Sequence, residues 1–276
     1  MKKRILSVFF AALTLICAAI PCSAAGNSRD CVELPIVMYH HISPKAKLLG
    51  KYVISPEQFE SDLKYLQSNG YTAIGTEQLR AWCRGEGELP DKPVMITFDD
   101  GYESTAVYAL PLLEEYGMTA VVAVIGSVAQ QYSDTPDHML DYSHMSWEAA
   151  ADIDKNSIVE VQCHTYDMHK LSPRKGCGKK YGESLELYRC ALEADLERFQ
   201  ESFAQRTGHS STAIALPFGC YCSDTLDILA ESGFDMVFTC SEKINRLTGD
   251  PAELMELGRF NRPSGISSEA FFEKWQ

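Results

Sequence analysis

The stretch VMITFDDGY, residues 94–102, sets a continuous apolar run directly against two adjacent carboxylates and a glycine. Val94 to Phe98 reads as a strand buried on both faces, because its apolar residues are uninterrupted rather than alternating. Asp99 and Asp100 then stand side by side at its end. Like charges in one site push a carboxyl pKa upward, so the pair is costly unless a cation or a proton lies between them. Neighbouring side chains on an extended chain point apart, which lets the two acids hold separate tasks.

The same strand type recurs, each time ahead of a helix signal. LPIVMYH (34–40) precedes Ser55, Pro56 and Gln58, an N-cap, a first-turn proline and a capping-box partner, and Gly70 ends the helix that follows. YTAI leads to a helix from Thr76, and VMITF to one through VYALPLLEEYG. TAVVAVIG leads through a loop to a helix opening at Ser146, and IVEVQC through a polar insert to a long helix from Ser184. TAIAL precedes a helix from Ser223 to Ser232, DMVFT follows Gly233, and MELGRF reads as a last strand before a C-terminal helix. Seven or so β–α units of this kind predict an α/β fold, an irregular (β/α) barrel of parallel strands.

In such a barrel the functional residues stand at the C-terminal strand ends. Four ends carry them here: His40 and His41, Asp99 and Asp100, His164 and His169, and the Pro217–Phe218–Gly219 turn. One carboxylate with two imidazoles makes a three-ligand divalent-metal site suited to zinc or a similar borderline ion, and one aspartate remains to take a proton from water. Taken singly, each piece has a plainer use. Asp-Asp after a strand is a common turn or helix cap, and HTYDMH (164–169) would pass for a surface turn.

Residues 1–25 show a basic start, an apolar run and small residues ending in Ala24 and Ala25, the layout of a cleaved secretory signal. An uncleaved anchor is the alternative. Residues 26–276 are then expected to form a single soluble domain, secreted or extracytoplasmic or held at the cell surface, with no stable membrane insertion. The chain carries a net charge of −13, and without the three basic residues of the signal 22 basic residues face 38 acidic ones, which disfavours nucleic acid as a partner. Eight cysteines remain beyond the signal, an even number that suggests disulfides in an exported chain, with Cys177 and Cys190 the first pair to test. Cys163 reads as a buried thiol or disulfide partner rather than a ligand, and Cys220 and Cys222 as partners of other loops. The segment LSPRKGCGKKYGES (171–184) is a basic, glycine-rich surface loop that could border a site. Trp82, Tyr102 and Trp147 are candidates to stack on sugar rings, with core packing as the alternative use of each.

TFDDGY and HTYDMH resemble the first two motifs of the polysaccharide deacetylases, carbohydrate esterase family four. The resemblance implies Asp99 as general base, and Asp100, His164 and His169 as ligands of one divalent ion, zinc in the first place with cobalt or nickel as alternatives. The two histidines stand one residue further apart than in most of the family. That spacing, the MYHHI strand and the alanine of ALPFG are similar to the subgroup acting on poly-β-1,6-N-acetylglucosamine, which implies His40 as general acid, with His41 second choice. The similarity runs from about Leu34 to Arg262. It implies hydrolysis of N-acetyl groups on an N-acetylated amino-sugar polymer, poly-N-acetylglucosamine-like or peptidoglycan of the cell wall, with release of acetate. Phe218 then offers a backbone N–H to the oxyanion, Tyr102 borders the substrate, and Arg259 or Arg262 orients Asp99, binds substrate or serves only in an ion pair. The rival readings are a noncatalytic glycan-binding module on the same fold and a metal-dependent hydrolase of another small amide. The sequence leaves the oligomeric state open.

Overall fold

The computed structural model describes residues 31–275. The signal reading of residues 1–25 lies outside them, and among the described residues no helix is long and apolar enough to cross a membrane. The parallel strands, in chain order, are β1 (Ile36–Tyr39), β2 (Thr72–Ala73), β3 (Pro93–Phe98), β4 (Ala120–Val124), β5 (Val159–Cys163), β6 (Ala213–Ala215), β7 (Met236–Phe238) and β8 (Phe260–Asn261). Their order is β7-β6-β5-β4-β3-β1-β8, and β2 pairs with the start of β3. The ends of that path meet. Leu257 N–H donates to the Val237 carbonyl at 2.9 Å, while three residues later Phe260 is in register with Val37 of β1. The segment from Leu257 to Asn261 thus bridges both edges and closes an irregular (β/α) barrel.

Strand parity divides the interior. Val37, Tyr39, Ile96, Phe98, Val122, Val124, Val161, Cys163, Ile214 and Val237 join the core cluster shared with the helices. Ile36, Met95, Val121, Ala123, Ala213, Ala215 and Met236 form a second cluster on the other face of the strands, inside the barrel. Both faces are therefore covered, as the continuous apolar strands require.

Eight helices flank the barrel: α1 (Pro56–Ser68), α2 (Thr76–Arg84), α3 (Leu110–Tyr116), α4 (Gly126–Asp134), α5 (Trp147–Asp154), α6 (Leu185–Thr207), α7 (Ser223–Glu231) and α8 (Ser268–Phe272). Ser55, Ser146 and Ser184 accept from the third residue onward, as N-caps do. Two elements differ from the sequence reading. A helix, α4, fills the span expected to be a loop after β4, because Gly126 N–H and Ser127 N–H dock on the carbonyls of Thr165 and Tyr166. MELGRF is not a continuous strand. Pro251–Glu256 forms a 3₁₀ turn capped by Asp250, and pairing begins only at Leu257. Val32–Leu34 and Asn245–Leu247 add a small antiparallel pair that local periodicity does not announce.

All eight described cysteines are free thiols, which corrects the disulfide expectation. Cys177 is buried beneath Tyr188, whose hydroxyl donates to the Cys177 carbonyl, whereas Cys190 lies on the exposed side of α6. Arg262 is also reassigned, since it stands away from Asp99. It grips Asp62 through Nε at 2.8 Å and a second nitrogen at 2.9 Å, and Asp62 also accepts from Tyr39 and Ser268. Both members are fully buried. This network ties α1, β1, the segment after β8 and α8 together. Removing one partner strands a buried charge, so Asp62→Ala is expected to cost about 3–5 kcal/mol in denaturant unfolding. A loss below about 1 kcal/mol, typical of an exposed pair, would show that the network is not load-sharing.

Candidate metal centre

Parity also decides which polar residues enter the barrel mouth. Asp99 continues the inward set of Met95 and Thr97, His40 that of Ile36, His164 follows Gln162, and Arg259 precedes the outward Phe260. His41 falls on the opposite face. It is buried, with Nδ1 2.8 Å from Ser104 Oγ and its ring against Tyr102, and it does not line the cavity that His40 borders. The structure therefore separates the two histidines that the sequence left as alternatives.

Asp100 should point outward by the same rule. Its φ of 70° turns the chain instead, and Gly101 follows at φ 70°. A Cβ on Gly101 would stand 2.8 Å from Val124 Cγ1, so only glycine fits this close turn. The three non-glycine residues with positive φ among the described residues are Asp100, Thr165 and Phe218, all around this mouth. Such strain collects where surrounding contacts hold it for a purpose.

His164 Nδ1–H donates to the Ala215 carbonyl at 2.8 Å, so Nδ1 carries the proton and Nε2 is the nitrogen left to face Asp100. That Nε2 and the Nε2 of His169 each lie 3.3 Å from the same oxygen, Asp100 Oδ1. Asp100 Oδ1 is buried and has no hydrogen-bond partner. The three ligand atoms all lie within 4.8 Å of one another. A buried acceptor facing a fixed imidazole lone pair fits a cation between them, and one oxygen with two imidazole nitrogens suits zinc or a similar ion. Burial alone would raise the Asp100 carboxyl, but the neighbouring imidazoles of His164, His40 and His169 hold it well below the usual range.

Asp99 is fixed differently. Arg259 donates to its two oxygens at 2.7 and 2.8 Å, and also bonds Thr97 Oγ1 and the Thr239 carbonyl. Burial pushes Asp99 up, yet Arg259 and then His164 and His40 outweigh it and hold the carboxyl below its ordinary value. Asp99 is thus ionised at neutral pH. His40 is shifted down from the ordinary imidazole value, chiefly by burial and against the pull of Asp99 and Asp100.

These groups line one open cavity of about 650 Å³, rimmed by Tyr52, Tyr102, Leu171 and Phe218. Of the aromatic candidates only Tyr102 reaches it. Trp147 is buried against Phe199, and Trp82 lines a larger cavity of about 890 Å³ that has no histidine in its wall. That second cavity surrounds Pro93, at the opposite end of the strands. Cys163 is a buried thiol that accepts from Thr165 N–H, on the face away from the ligands. Sequence reading missed Asp195, whose two oxygens accept from Tyr166 and Asp167 N–H at 2.7 Å each, clamping the loop between the two histidines. Its signal was a carboxylate inside the apolar stripe of Leu192, Leu196 and Phe199.

Residues 86–237, more than half of the chain, match the family model described as Polysaccharide deacetylase. The poly-β-1,6-N-acetyl-D-glucosamine N-deacetylase of Staphylococcus aureus (strain MRSA252) is 28% identical over 199 residues, 72% of this chain and 64% of that protein. The protein of the same name from Escherichia coli (strain K12) is 24% identical over 74% of this chain and 33% of its own length. This chain therefore corresponds to less than two thirds of either relative. The solved structure of IcaB from Ammonifex degensii is similar with a TM-score of 0.68 and 25% identity, over 84% of this chain and 92% of that one. His169→Ala is expected to weaken zinc binding at least about 100-fold in chelator competition, and Asp195→Ala about 10–100-fold through the loop alone. Unchanged affinity in both would remove the loop from metal binding.

Proposed function

The chain belongs to the polysaccharide deacetylase family, and from that premise we propose that it is an exported, metal-dependent hydrolase removing N-acetyl groups from an N-acetylated amino-sugar polymer. The observation that carries the reading is Asp100 Oδ1, buried without a partner between two imidazole nitrogens, with an Arg259-paired Asp99 beside it. Relatives named for poly-β-1,6-N-acetylglucosamine make an N-acetylglucosamine-containing polymer the substrate class, with that polymer and peptidoglycan both as candidates.

Asp100, His164 and His169 would hold one divalent ion, zinc in the first instance. Bound there, such an ion supplies Lewis acidity to the amide carbonyl and to an attacking water. Asp99 is the base. Arg259 keeps its carboxylate ionised and fixes both oxygens, so the proton it takes from water arrives at a defined place. Water adds to the acetyl carbon, and the carbonyl oxygen becomes an oxyanion to which the Phe218 N–H would donate. Protonated His40, which lines the same cavity as His169, gives its proton to the sugar nitrogen as the carbon–nitrogen bond breaks. Acetate and a free amine leave, and the proton on Asp99 passes through solvent to His40, which restores both groups. Tyr52, Tyr102 and Phe218 offer apolar faces for the sugar ring.

Asp99→Asn is expected to retain zinc in titration calorimetry yet lower acetate release by about 10²–10⁴-fold, the range of a lost general base. Chelation should abolish turnover of the wild type, and zinc, cobalt or nickel should restore it. The substrates to compare are β-1,6-linked and β-1,4-linked N-acetylglucosamine oligomers and peptidoglycan. An Asp99→Asn protein with full activity would contradict the assignment of the base.

A further inference from the structure

The chain is acidic overall, yet residues 169–182 read HKLSPRKGCGKKYG, with five basic residues and no acid. The fold sets this loop against the mouth of the catalytic cavity. A second cavity of about 570 Å³, lined among others by Leu171, Lys175, Lys179, Lys180, Tyr181 and Tyr221, shares Leu171 and Lys175 with the first. The two cavities adjoin at these residues, with Phe218 lining the first and Gly219 the second.

The loop is held, not draped. Arg174 is nearly buried and bonds both oxygens of Glu183 as well as the Gly178 carbonyl. Gly176 N–H donates to the Lys170 carbonyl at 3.0 Å. A Cβ on Gly176 would lie 2.4 Å from the Pro217 carbonyl oxygen, so the loop backbone rests directly on the turn that presents Phe218. Its cations therefore keep a fixed place relative to the reacting amide. Arg174 is engaged by Glu183, Lys170 by Asp167, and Lys179 stands 3.5 Å from Asp224. Lys175 and Lys180 form no ion pair with any described residue. Beside them Tyr181 is fully exposed. A cationic trough with an exposed aromatic ring suits a sugar chain that bears negative charge, stacking on the ring and pairing with the ammonium groups.

We propose that this trough is a substrate subsite for an acidic glycan: an N-acetylated polymer bearing carboxylates on sugars adjoining the one that is deacetylated. The inference rests on the deacetylase reading for the neighbouring site and narrows its substrate class. The carboxylate has two chemical sources, a uronic acid or a lactyl ether on an amino sugar, and the same lysines serve either. An exposed ion pair contributes modestly, so preference comes from several acting together and falls as salt rises.

The test uses three oligosaccharides of equal length: neutral N-acetylglucosamine, N-acetylglucosamine alternating with glucuronic acid, and N-acetylglucosamine alternating with N-acetylmuramic acid. Binding is measured by calorimetry at low and high salt, with acetate release from the same samples. The zinc-loaded wild type is expected to bind at least one carboxylated oligomer about tenfold or more tighter than the neutral one at low salt, with the margin shrinking at high salt. Which of the two binds better identifies the carboxylate. The double variant Lys175→Gln, Lys180→Gln, which removes the two ammonium groups without an ion pair, should lose that margin, while its unfolding midpoint stays unchanged and any loss on the neutral oligomer is smaller than on the charged one. Equal binding of charged and neutral oligomers, or a margin that survives in the variant, would overturn the inference. So would lysine-dependent binding to phosphatidylglycerol vesicles without preference among the glycans. Charge-dependent binding with no acetate release supports the trough and removes the deacetylase reading, whereas release without charge preference does the reverse.

Discussion

Two imidazole nitrogens and a carboxylate oxygen that turn lone pairs toward one point repel one another unless positive charge stands between them. Everything at the barrel mouth serves that arrangement. The Ala215 carbonyl fixes the His164 tautomer, the left-handed turn at Asp100 swings a carboxylate inward that strand parity would send outward, and Asp195 clamps the loop carrying His169. A cation resolves the repulsion and explains why the chain tolerates adjacent acids. Asp99 is relieved separately by a buried guanidinium. Two neighbouring carboxylates would thus be neutralised by two different cations, one a resident side chain and the other a bound ion, and such a division would give them different chemistry.

The fold supplies the geometry through its closing seam. Leu257 pairs with β7 and Phe260 with β1, so Arg259 between them is carried into the barrel directly under Asp99. Closure and the pairing of Asp99 with Arg259 are one structural event. The second buried pair, Arg262 with Asp62, stands three residues on and faces the helices instead, fastening the chain end to α1 and α8. Alternate inward and outward placement along one short segment therefore distributes two buried arginines to two tasks.

Much of this was legible in the residues. Continuous apolar strands ending in Asp99, His164 and His40 are enough to predict a barrel and one functional face, and parity alone would have favoured His40 over His41. What could not be read locally depended on long-range contacts. The helix after β4 docks on carbonyls of the loop after β5, and the loop expectation there used only local signals. Asp195 and Asp62 each interrupt an apolar helical stripe, which marks them as buried acids but does not say whom they meet. The even cysteine count suggested disulfides, yet Cys177 is enclosed under Tyr188 and Cys190 faces outward, so spacing along the chain did not predict proximity. MELGRF was read as one strand, whereas the proline at 251 and the Asp250 cap wind its first part into a turn.

The most direct check of the central claim is the X-ray absorption spectrum of the zinc-loaded protein at one equivalent. The account predicts two imidazole nitrogens at about 2.0–2.1 Å with oxygen completing the shell, and no sulfur. A scatterer near 2.3 Å, the distance of a thiolate, or loss of no nitrogen signal on replacing His169 would place the ion elsewhere and contradict it.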